Sequence, residues 1–374
     1  MSKLIGEREL LRPFTATSQL PVSWYFDPAI YQQEQTSLFT RAPVYVGHEL
    51  MVPNKNDYRA LETKDGAWAL INTGVNDGEP VELVSNICRH RQAVILKGAG
   101  KLATGNIICP LHRWTYSSQG TLLGAPHFDK QPCLHLPNKP LSRWNGLLFE
   151  GPNAIVNDLA HIKWAKDLDF SGFVFDKAEV TEYNFNWKTF IEVYLEDYHV
   201  VPFHPGLGNF VDCDSLAWDY GDWYSVQVVG VKNQLARAGT ETYKKWHDVV
   251  LNYRNGEPPP YGAIWMTLYP NVMIEWYPHV LVVSTILPRG PDKCSNVVEF
   301  YYPEEIALFE REFVEAEQKA YAETAVEDED ICQRMNDGRR LLWQEGRDEQ
   351  GPYQSPFEDG MIHFHEFVRR EMNA

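Results

Sequence analysis

Two cysteines and two histidines alternate in the stretch CRHRQAVILKGAGKLATGNIICPLHRW, residues 88 to 114. Cys88 and His90 form a Cys-x-His pair, and Cys109 and His112 form a Cys-x-x-His pair. A structural zinc site usually grips its metal with like ligands, cysteines first and histidines later. A [2Fe–2S] cluster with two thiolates on one iron and two imidazoles on the other requires one Cys and one His from each of two loops. The interleaved order therefore favours such a cluster over a zinc knuckle or unliganded side chains.

A second candidate metal site lies in NWKTFIEVYLEDYHVVPFHPGL, residues 186 to 207. The apolar spacing from Trp187 to His199 predicts a helix, and Pro202 disfavours its continuation. His199 then lies at the helix end, with His204 on the turn beyond it. Two histidines can supply part of a 2-His-1-carboxylate site, which holds non-haem Fe(II) and leaves positions open for dioxygen and substrate.

The third ligand of that site must be a carboxylate. The acidic run AVEDEDICQRMNDGRR, residues 325 to 340, offers several on a long helical segment that opens near Pro303. Glu327, Asp328 and Asp330 are all candidates, because the spacing alone does not fix the helix phase to the residue. Taken alone, such an acidic run is more often a solvated helix face than a ligand-bearing one.

These ligands need rigid elements to position them. The stretches VELVSNIC and TGNIIC read as strands that enter two hairpin-like loops, with turns at Pro110 and Gly120. Further along, YGAIWMTLYPNVMIEWYPHVLVVSTILP predicts strands broken at Pro270 and Pro278, since proline cannot donate to a sheet ladder. Aromatic and apolar residues of these strands are candidates for the wall of a substrate cavity.

Composition narrows the class of protein. The chain has 374 residues, of which 44% are apolar, and a formal net charge of −17. Phosphate backbones and anionic lipids would repel this charge, so we expect neither nucleic acid nor a membrane surface as partner. Six cysteines without a secretory signal argue against a disulfide framework. With no apolar run of membrane-spanning length, we expect a cytoplasmic protein.

The motifs together resemble one known family. The C-x-H…C-x2-H signature, the E-x-Y-H-x4-H motif ending at His204, and E-D-x-x-I-C about 125 residues later are typical of Rieske-type aromatic-ring-hydroxylating oxygenase α subunits. The resemblance extends to PLHRWTY and to the ending GPYQSPFEDGMIHFHEF. It therefore covers nearly the whole chain.

The resemblance implies an α+β fold with two metal centres. It implies a helical arm at residues 1–40, a Rieske β domain at 41–155, and a catalytic helix-grip (START-like) domain at 165–374 with an antiparallel sheet around a long helix. It also implies the ligands of both cofactors, which are Cys88, His90, Cys109 and His112 for the [2Fe–2S] cluster and His199, His204 and Asp328 for the mononuclear Fe(II).

The implied activity is that of a terminal oxygenase. Electrons from a separate flavin- or ferredoxin-type reductase and O2 would hydroxylate, dihydroxylate or oxidatively dealkylate a small organic substrate, either an aromatic compound, as in aromatic hydrocarbon catabolism, or a methylated or quaternary amine. The reductase is expected as a separate protein because no nucleotide-binding glycine loop is evident here. The alternatives are a Rieske electron carrier fused to a ligand-binding domain and a helix-grip binding protein. About three irons per chain would indicate the oxygenase, two the carrier and none the binding protein.

The family also implies how electrons reach the iron. In a homotrimer, a carboxylate connects the cluster histidine of one subunit to the iron histidine of the next, and Glu196 occupies that position by its spacing to His199. Asp197 would point about 100° away on a helix. Arg89, Arg91 and Arg113 flank the cluster ligands on an otherwise acidic chain, and we hypothesise that they form a docking face for an acidic reductase. The alternative is that one or more of them braces the cluster loops through backbone hydrogen bonds.

Overall fold

The computed structural model describes residues 14–74, 80–151 and 155–373. The chain divides into two compact units: a smaller one at residues 43–157, and a larger one that joins the residues up to 42 with those from 158 onward. The predicted helical arm, residues 1–40, is described only from residue 14, and its first thirteen residues lie outside the described residues.

The smaller unit consists of short strands in three sheets. Their sheet orders are β1-β11-β10, β5-β2-β3-β4-β9 and β6-β7-β8, and all of the strand pairs formed by described residues are antiparallel. The strands are β1 (Val44–His48), β2 (Asp57–Ala60), β3 (Trp68–Asn72), β4 (Val81–Ser85), β5 (Ala99–Lys101), β6 (Asn106–Ile108), β7 (Thr115–Ser117), β8 (Leu122–Gly124), β9 (Asn138–Lys139), β10 (Ser142–Trp144) and β11 (Leu147–Glu150).

One apolar core supports the loops of the smaller unit. Ile71, Val84 and Ile107 are buried from three different strands, and Cys88 and Cys109 are buried in the same cluster. β4 and β6 coincide with the strands predicted from VELVSNIC and TGNIIC. Cys88 therefore lies three residues beyond the end of β4, and Cys109 directly beyond β6, both after strands that are fixed by core packing.

The larger unit is a seven-stranded antiparallel sheet with helices. The sheet order is β12-β18-β17-β16-β15-β14-β13. The predicted breaks at Pro270 and Pro278 are confirmed, since both prolines lie between strands. The elements are α1 (Ser23–Phe26), α2 (Pro28–Gln33), α3 (Phe39–Arg41), α4 (Ile155–Leu159), β12 (Phe173–Tyr183), α5 (Trp187–Tyr194), α6 (Val200–Phe203), β13 (Val211–Tyr220), β14 (Tyr224–Val231), α7 (Glu241–Tyr253), β15 (Ala263–Leu268), β16 (Val272–Tyr277), β17 (Val280–Gly290), β18 (Lys293–Pro303), α8 (Glu304–Phe309), α9 (Arg311–Gln344) and α10 (Asp359–Met372), of which α4 crosses the boundary between the units.

The long helix α9 packs on the inner face of this sheet. Its buried residues include Phe313, Glu317 and Ala320, which recur every three to four positions as one helical face. The ring of Tyr321 meets that of Phe300 on β18 edge to face, at 5.3 Å between centroids. This arrangement agrees with the predicted α+β class and with a sheet around a long helix.

The predicted helix from Trp187 to His199 is shorter than expected. α5 ends at Tyr194, and a second short helix, α6, begins only at Val200. Pro202 lies inside α6, which the prediction did not allow. It is tolerated because the first turn of a helix has no intrahelical acceptor for its amide groups. Histidines 199 and 204 therefore cap the two ends of α6 instead of following one long helix.

The segment before residue 42 is anchored in the larger unit by a buried ion pair. Glu34 accepts from Nζ of Lys188 (2.5 Å) and from Nε1 of Trp187 (2.9 Å), and neither charged side chain is exposed. In the described part of the chain, none of the helices has the length and apolar character needed to cross a bilayer.

Candidate active site

The two loops with the Cys and His pairs repeat one backbone hydrogen-bond pattern. The amide of Cys88 donates to the carbonyl five residues later (2.9 Å), and the amide of Gln92 donates back to Cys88 (3.0 Å). Cys109 and Arg113 make the same two bonds at 2.9 and 3.1 Å. Gln92 and Arg113 both have positive φ, 55° and 61°, so each loop reverses just after its histidine. This repetition presents the two pairs in equivalent ways, and sequence spacing alone did not reveal it.

The two thiols of these loops are buried side by side. Cys88 and Cys109 are 2% and 1% exposed, and the hydroxyl of Tyr116 lies 3.5 Å from Sγ of Cys88. Burial acts to raise the pKa of Cys88, but hydrogen bonds from Tyr116 and backbone amides outweigh it and hold the pKa below its ordinary value. At least one thiol is thus prepared to act as a thiolate ligand.

The histidine rings of the same loops also meet. The centroids of His90 and His112 are 4.7 Å apart, and His90 is stacked on Trp114 at 5.0 Å. Nδ1 of His90 is buried without a hydrogen-bond partner among the described residues, whereas His112 is exposed. A buried, unpaired imidazole nitrogen fits a metal ligand, since leaving it unpaired is otherwise unfavourable. The donor set therefore fits a [2Fe–2S] cluster with one histidine at the protein surface.

Three residues of the larger unit converge on one point. Nε2 of His199 and Nε2 of His204 are 3.0 Å apart, and Oδ1 of Asp328 on α9 lies 3.6 and 3.1 Å from them. One ligand atom from each residue fits within 4.8 Å of the others. This is the donor set of a 2-His-1-carboxylate iron site.

Two further carboxylates fix the orientation of these histidines. Nδ1 of His199 donates to Glu196 (2.5 Å), and Nδ1 of His204 donates to Glu327 (2.7 Å). With both Nδ1 atoms used as donors, both Nε2 lone pairs point to the common centre, where a metal is the natural partner. The two histidines and Asp328 therefore fit a mononuclear iron ion.

The electrostatic field at this centre favours a cation. Burial acts to lower the pKa of His199, but Asp328 and Glu196 outweigh it and raise the pKa to about 10. Burial acts to raise the pKa of Asp328, but the two histidines hold it below its ordinary value. A proton on the rings or a metal ion between the three donors satisfies the same field.

The three candidate carboxylates of α9 differ in what they contact. Asp328 faces the two Nε2 atoms, whereas Glu327 is used by Nδ1 of His204. Asp330 pairs with Arg334 at 2.7 Å on the exposed side of the helix. These three nearby acids thus have three different roles. The orientation of His204 by Glu327 was not predicted from the sequence.

Glu196 and Asp197 point in different directions. Glu196 is held against His199, accepting from the ring and from the backbone amide (3.0 Å). Asp197 is 3% exposed and accepts from the side-chain amide of Gln227 on β14. Burial, and then the charge of Glu196, raise the pKa of Asp197 to about 8. Of these two acids, only Glu196 contacts His199.

A cavity of about 260 Å³ adjoins the three converging residues. It lies between α9 and the inner face of the seven-stranded sheet, and aromatic residues such as Phe190, Tyr321 and Trp265 form much of its wall. Besides Asp197, the buried carboxylates of Glu275 and Glu317 also line it. Sequence reasoning predicted an aromatic wall but did not single out these two acids.

Comparison with protein families divides the chain in two. Residues 42–137 match a model described as the Rieske [2Fe-2S] domain, and residues 170–374 match one described as the ring hydroxylating alpha subunit, catalytic domain. Among curated proteins, the chain is similar to the putrescine 2-hydroxylase of Ralstonia nicotianae, with 61% identity over 95% of this chain and 96% of the relative. It is also similar to the putrescine 2-hydroxylase of Bordetella bronchiseptica, with 54% identity over 96% of this chain and 85% of the relative.

More distant similarities extend to a choline monooxygenase and to a solved structure of a quaternary ammonium Rieske monooxygenase. The chloroplastic choline monooxygenase of Atriplex hortensis is 25% identical over 98% of this chain and 80% of the relative. The crystal structure of the quaternary ammonium Rieske monooxygenase CntA with its substrate L-carnitine matches with a TM-score of 0.71 and 18% identity, covering 95% of each chain. This last likeness concerns the fold.

Proposed function

Because the chain belongs to the Rieske-type ring-hydroxylating oxygenase α subunits, we propose that it hydroxylates a short aliphatic diamine, with putrescine (butane-1,4-diamine) as the leading candidate and C2 as the position. The observation that carries this proposal is the 61% identity to a putrescine 2-hydroxylase over 95% of the chain. The enzyme class itself is as predicted. The chain is an oxygenase with a [2Fe–2S] cluster and a mononuclear iron, and a carrier fused to a binding domain is not favoured.

The cavity chemistry supports a cationic substrate. A diamine carries two ammonium groups at neutral pH and has an apolar chain between them. The cavity combines the buried carboxylate of Glu275 with aromatic walls. Carboxylates and aromatic rings are the groups that bind alkylammonium ions by ion pairing and cation–π contact. Tyr321, Trp265 and Phe190 can enclose the methylene chain and exclude water.

We assign the metal ligands by their geometry. The cluster is held by four residues of the smaller unit: Cys88, His90, Cys109 and His112. The mononuclear iron is held by His199, His204 and Asp328, which converge at 3.0 to 3.6 Å. When bound, this iron activates dioxygen with electrons that arrive through the cluster. Glu196 and Glu327 keep both histidines in the Nδ1–H form.

Electron delivery to the iron is proposed to cross between subunits of a homotrimer. Glu196 would connect His199 to the cluster histidine of a neighbouring copy, in its role as acceptor of charge-assisted hydrogen bonds. The surface beside it supports an interface, since Tyr198 and Val201 are 59% and 54% exposed although both are apolar in large part. Members of this family act with a reductase, and we infer a separate one here, in the cytoplasm.

The test of the substrate is a direct assay. The purified holoprotein, with a Rieske-oxygenase reductase and its nicotinamide donor, is supplied separately with putrescine, choline, L-carnitine and naphthalene while O2 uptake is followed. We expect a product heavier than putrescine by one oxygen atom, with 18O from 18O2, and little product from the other three. Product from choline or carnitine alone would overturn the diamine proposal, and product from naphthalene would restore the predicted role in aromatic catabolism.

A further inference from the structure

Glu275 is a buried acid without a cationic partner. It lies on β16 and is 3% exposed. Its carboxylate accepts from the hydroxyls of Tyr277 (2.9 Å) and Tyr321 (3.0 Å). No lysine or arginine of the described residues forms an ion pair with it. A carboxylate in this setting gains a strong partner only when a cationic ligand enters the cavity.

Aromatic groups surround this carboxylate. Tyr277 accepts from the indole Nε1 of Trp265 (2.9 Å), which leaves its own hydroxyl proton for Glu275. Tyr194 also lines the cavity, and its buried hydroxyl has no partner among the described residues. We call Glu275, Tyr194, Tyr277 and Tyr321 the carboxylate pocket. Aromatic rings around a carboxylate provide both the ion pair and the cation–π contacts that an ammonium group uses.

A second unpaired polar atom points to a polar ligand in the same cavity. Asn296 on β18 is 3% exposed, and its Oδ1 has no hydrogen-bond partner among the described residues. Both Asn296 and Glu275 line the cavity. Buried polar side chains are normally satisfied, so an unpaired amide oxygen in the wall of the same cavity indicates a ligand with N–H donors.

Helix α9 and the sheet both connect the carboxylate pocket to the iron site. Tyr321 precedes Asp328 by seven residues on α9, which places both on one face of the helix, about 10 Å apart along its axis. Across the sheet, Glu275 pairs with Trp265, which pairs with Gln227. Gln227 in turn donates to Asp197, two residues before His199. A short chain of neighbouring residues therefore connects the carboxylate pocket to the metal site.

A four-carbon diamine has a suitable length to lie between Glu275 and the metal site. Its nitrogens are separated by roughly 6 Å when extended, given bonds of about 1.5 Å. We propose that Glu275 binds the ammonium group farther from the iron and thereby sets which carbon of the diamine faces the metal. The proposal rests on the proposed function, namely that the substrate is a diamine.

Glu317 lies too far along the helix for the same role. It precedes Asp328 by eleven residues, about 16 Å along α9, and its carboxylate accepts from the hydroxyl of Tyr302 at 2.5 Å. A diamine that spans roughly 6 Å cannot reach Glu317 with a carbon still at the metal. Substitution of Glu275 and substitution of Glu317 should therefore have different effects on diamine binding.

The experiment compares three isosteric variants of the holoprotein. Glu275→Gln removes the proposed charge, Glu317→Gln removes the distant one, and Glu299→Gln removes a buried carboxylate on the opposite face of β18, where Tyr301 donates to it at 2.8 Å. Putrescine binding is measured by anaerobic calorimetry, and turnover as hydroxylated product formed per O2 consumed. Iron content and the visible spectrum of the cluster report whether each variant is intact.

We expect Glu275→Gln to keep its metals and to bind putrescine roughly 10- to 100-fold more weakly, the effect of losing a hydrogen-bonded charge. Its product per O2 should fall, because a poorly held chain leaves the activated site without an aligned carbon. Glu275→Asp should recover part of the affinity. Glu299→Gln and Glu317→Gln should each bind putrescine with an affinity within about 3-fold of the wild type, because each loses a contact of little net energy.

Two results are distinguishable as failures. If wild-type protein neither binds nor hydroxylates putrescine, the proposed function fails before the variants matter. If wild-type protein hydroxylates putrescine and Glu275→Gln binds it as Glu299→Gln does, the substrate stands and the role of Glu275 is overturned. A large loss in Glu317→Gln with none in Glu275→Gln would also overturn it. If Glu275→Gln loses iron, the putrescine affinity of Glu275→Asp is compared with that of Glu299→Gln, and an equal affinity overturns the role of Glu275.

Discussion

At the scale of single residues, the mononuclear site depends on which acid of α9 faces the histidines. Asp328 is the only one of the three candidate carboxylates that the structure brings to both Nε2 atoms, at 3.1 and 3.6 Å. Glu327 is occupied by Nδ1 of His204, and Asp330 by Arg334. Removing each acid should therefore have a different effect on the metals.

We predict that Asp328→Ala loses the mononuclear iron and turnover but keeps the cluster. Iron should fall from about three to about two atoms per chain, while the red-brown absorption of the cluster persists, since its ligands belong to the other unit. Iron analysis and visible spectroscopy measure both. Asp330→Ala, two positions away, is the matched control and should retain all three irons. Equal iron loss in the control, or none in Asp328→Ala, would move the third ligand elsewhere.

Glu196 is expected to affect electron transfer more than metal binding. We predict that Glu196→Ala keeps its metals and that the reductase still reduces its cluster, yet turnover falls at least about 100-fold, more than the loss of an orienting partner usually costs. The measurement is a single turnover in which cluster oxidation by the iron site is followed optically. Glu196→Gln, which can still accept from Nδ1 of His199, separates orientation of the ring from the negative charge.

Asp197→Asn is the control for that experiment. Asp197 contacts Gln227 instead of an iron-site histidine, so its variant should transfer electrons at close to the wild-type rate. Normal turnover in Glu196→Ala with an inactive Asp197→Asn would transfer the role to Asp197. Normal turnover in both would remove a carboxylate connection from the electron path.

Sequence spacing predicted the donor types at this scale but not all of their roles. The Cys-x-His and Cys-x-x-His pairs are local, so the chain order itself brings each pair to one loop. Glu327 and Asp328 are neighbours, and their functions differ only because α9 turns one toward Nδ1 and the other toward Nε2. A helix phase of this kind is set by packing over many residues, which a single motif does not encode.

At the scale of secondary structure, one buried network joins elements that are distant in sequence. Glu192 on α5 is 1% exposed, and its carboxylate accepts from Arg339 on α9 (2.8 Å), from His365 on α10 (3.0 Å) and from the hydroxyl of Tyr25. Burial acts to raise the pKa of Glu192, but these partners outweigh it and lower the pKa to about 2. The ionised form therefore holds three helices and the N-terminal segment together.

We predict that Glu192→Gln destabilises the protein strongly. The substitution leaves Arg339 buried without its anion, a loss of about 3–5 kcal/mol in the free energy of unfolding. The control is the surface pair of Asp330 and Arg334, which lies on α9 like Arg339 and is 54% and 71% exposed. Asp330→Asn should change the free energy of unfolding by less than about 1 kcal/mol. Urea titrations of both holoproteins measure the difference, and equal midpoints would contradict a structural role for the network.

The end of α5 shows why element boundaries were harder to predict than elements. The apolar spacing continues from Trp187 to His199, yet the helix ends at Tyr194. The chain leaves the helix where the amide of Asp197 donates to the carbonyl of Phe357 at 3.0 Å. That partner lies 160 residues away in the sequence, so no local pattern could indicate it. The strands around Pro270 and Pro278 were predictable because proline acts locally.

At the scale of the whole molecule, the class of the enzyme was predictable and its cavity was not. Two motif-bearing segments lie in two separate parts of the chain, so the order of domains follows from the linear sequence. The carboxylate pocket combines Glu275 from β16 with Tyr194 from α5 and Tyr321 from α9. Each of these residues is unremarkable in its own segment, and only the sheet register and the packing of α9 place them around one ligand site.

The charge of the chain makes a prediction about its electron donor. The formal net charge is −17, yet Arg89, Arg91 and Arg113 flank the proposed cluster ligands and are all exposed. Leu111 beside them is 55% exposed, so the surface around His112 combines basic and apolar groups. An acidic reductase would be repelled by most of the molecule and attracted at this one face.

We therefore predict that the apparent KM for the reductase rises with salt, on the order of 10-fold between low and physiological ionic strength, as screening shortens the reach of exposed charges. Steady-state turnover at fixed putrescine and varied reductase measures it. Arg91→Glu should raise KM at low salt and flatten the salt dependence, because a charge at the docking face has been reversed. Lys244→Glu on α7, where the wild-type lysine pairs with Asp248 at 2.6 Å, changes the net charge by the same amount outside the smaller unit. If both variants shift KM equally, only the total charge matters; if KM stays flat with salt in the wild type, the reductase does not dock through these arginines.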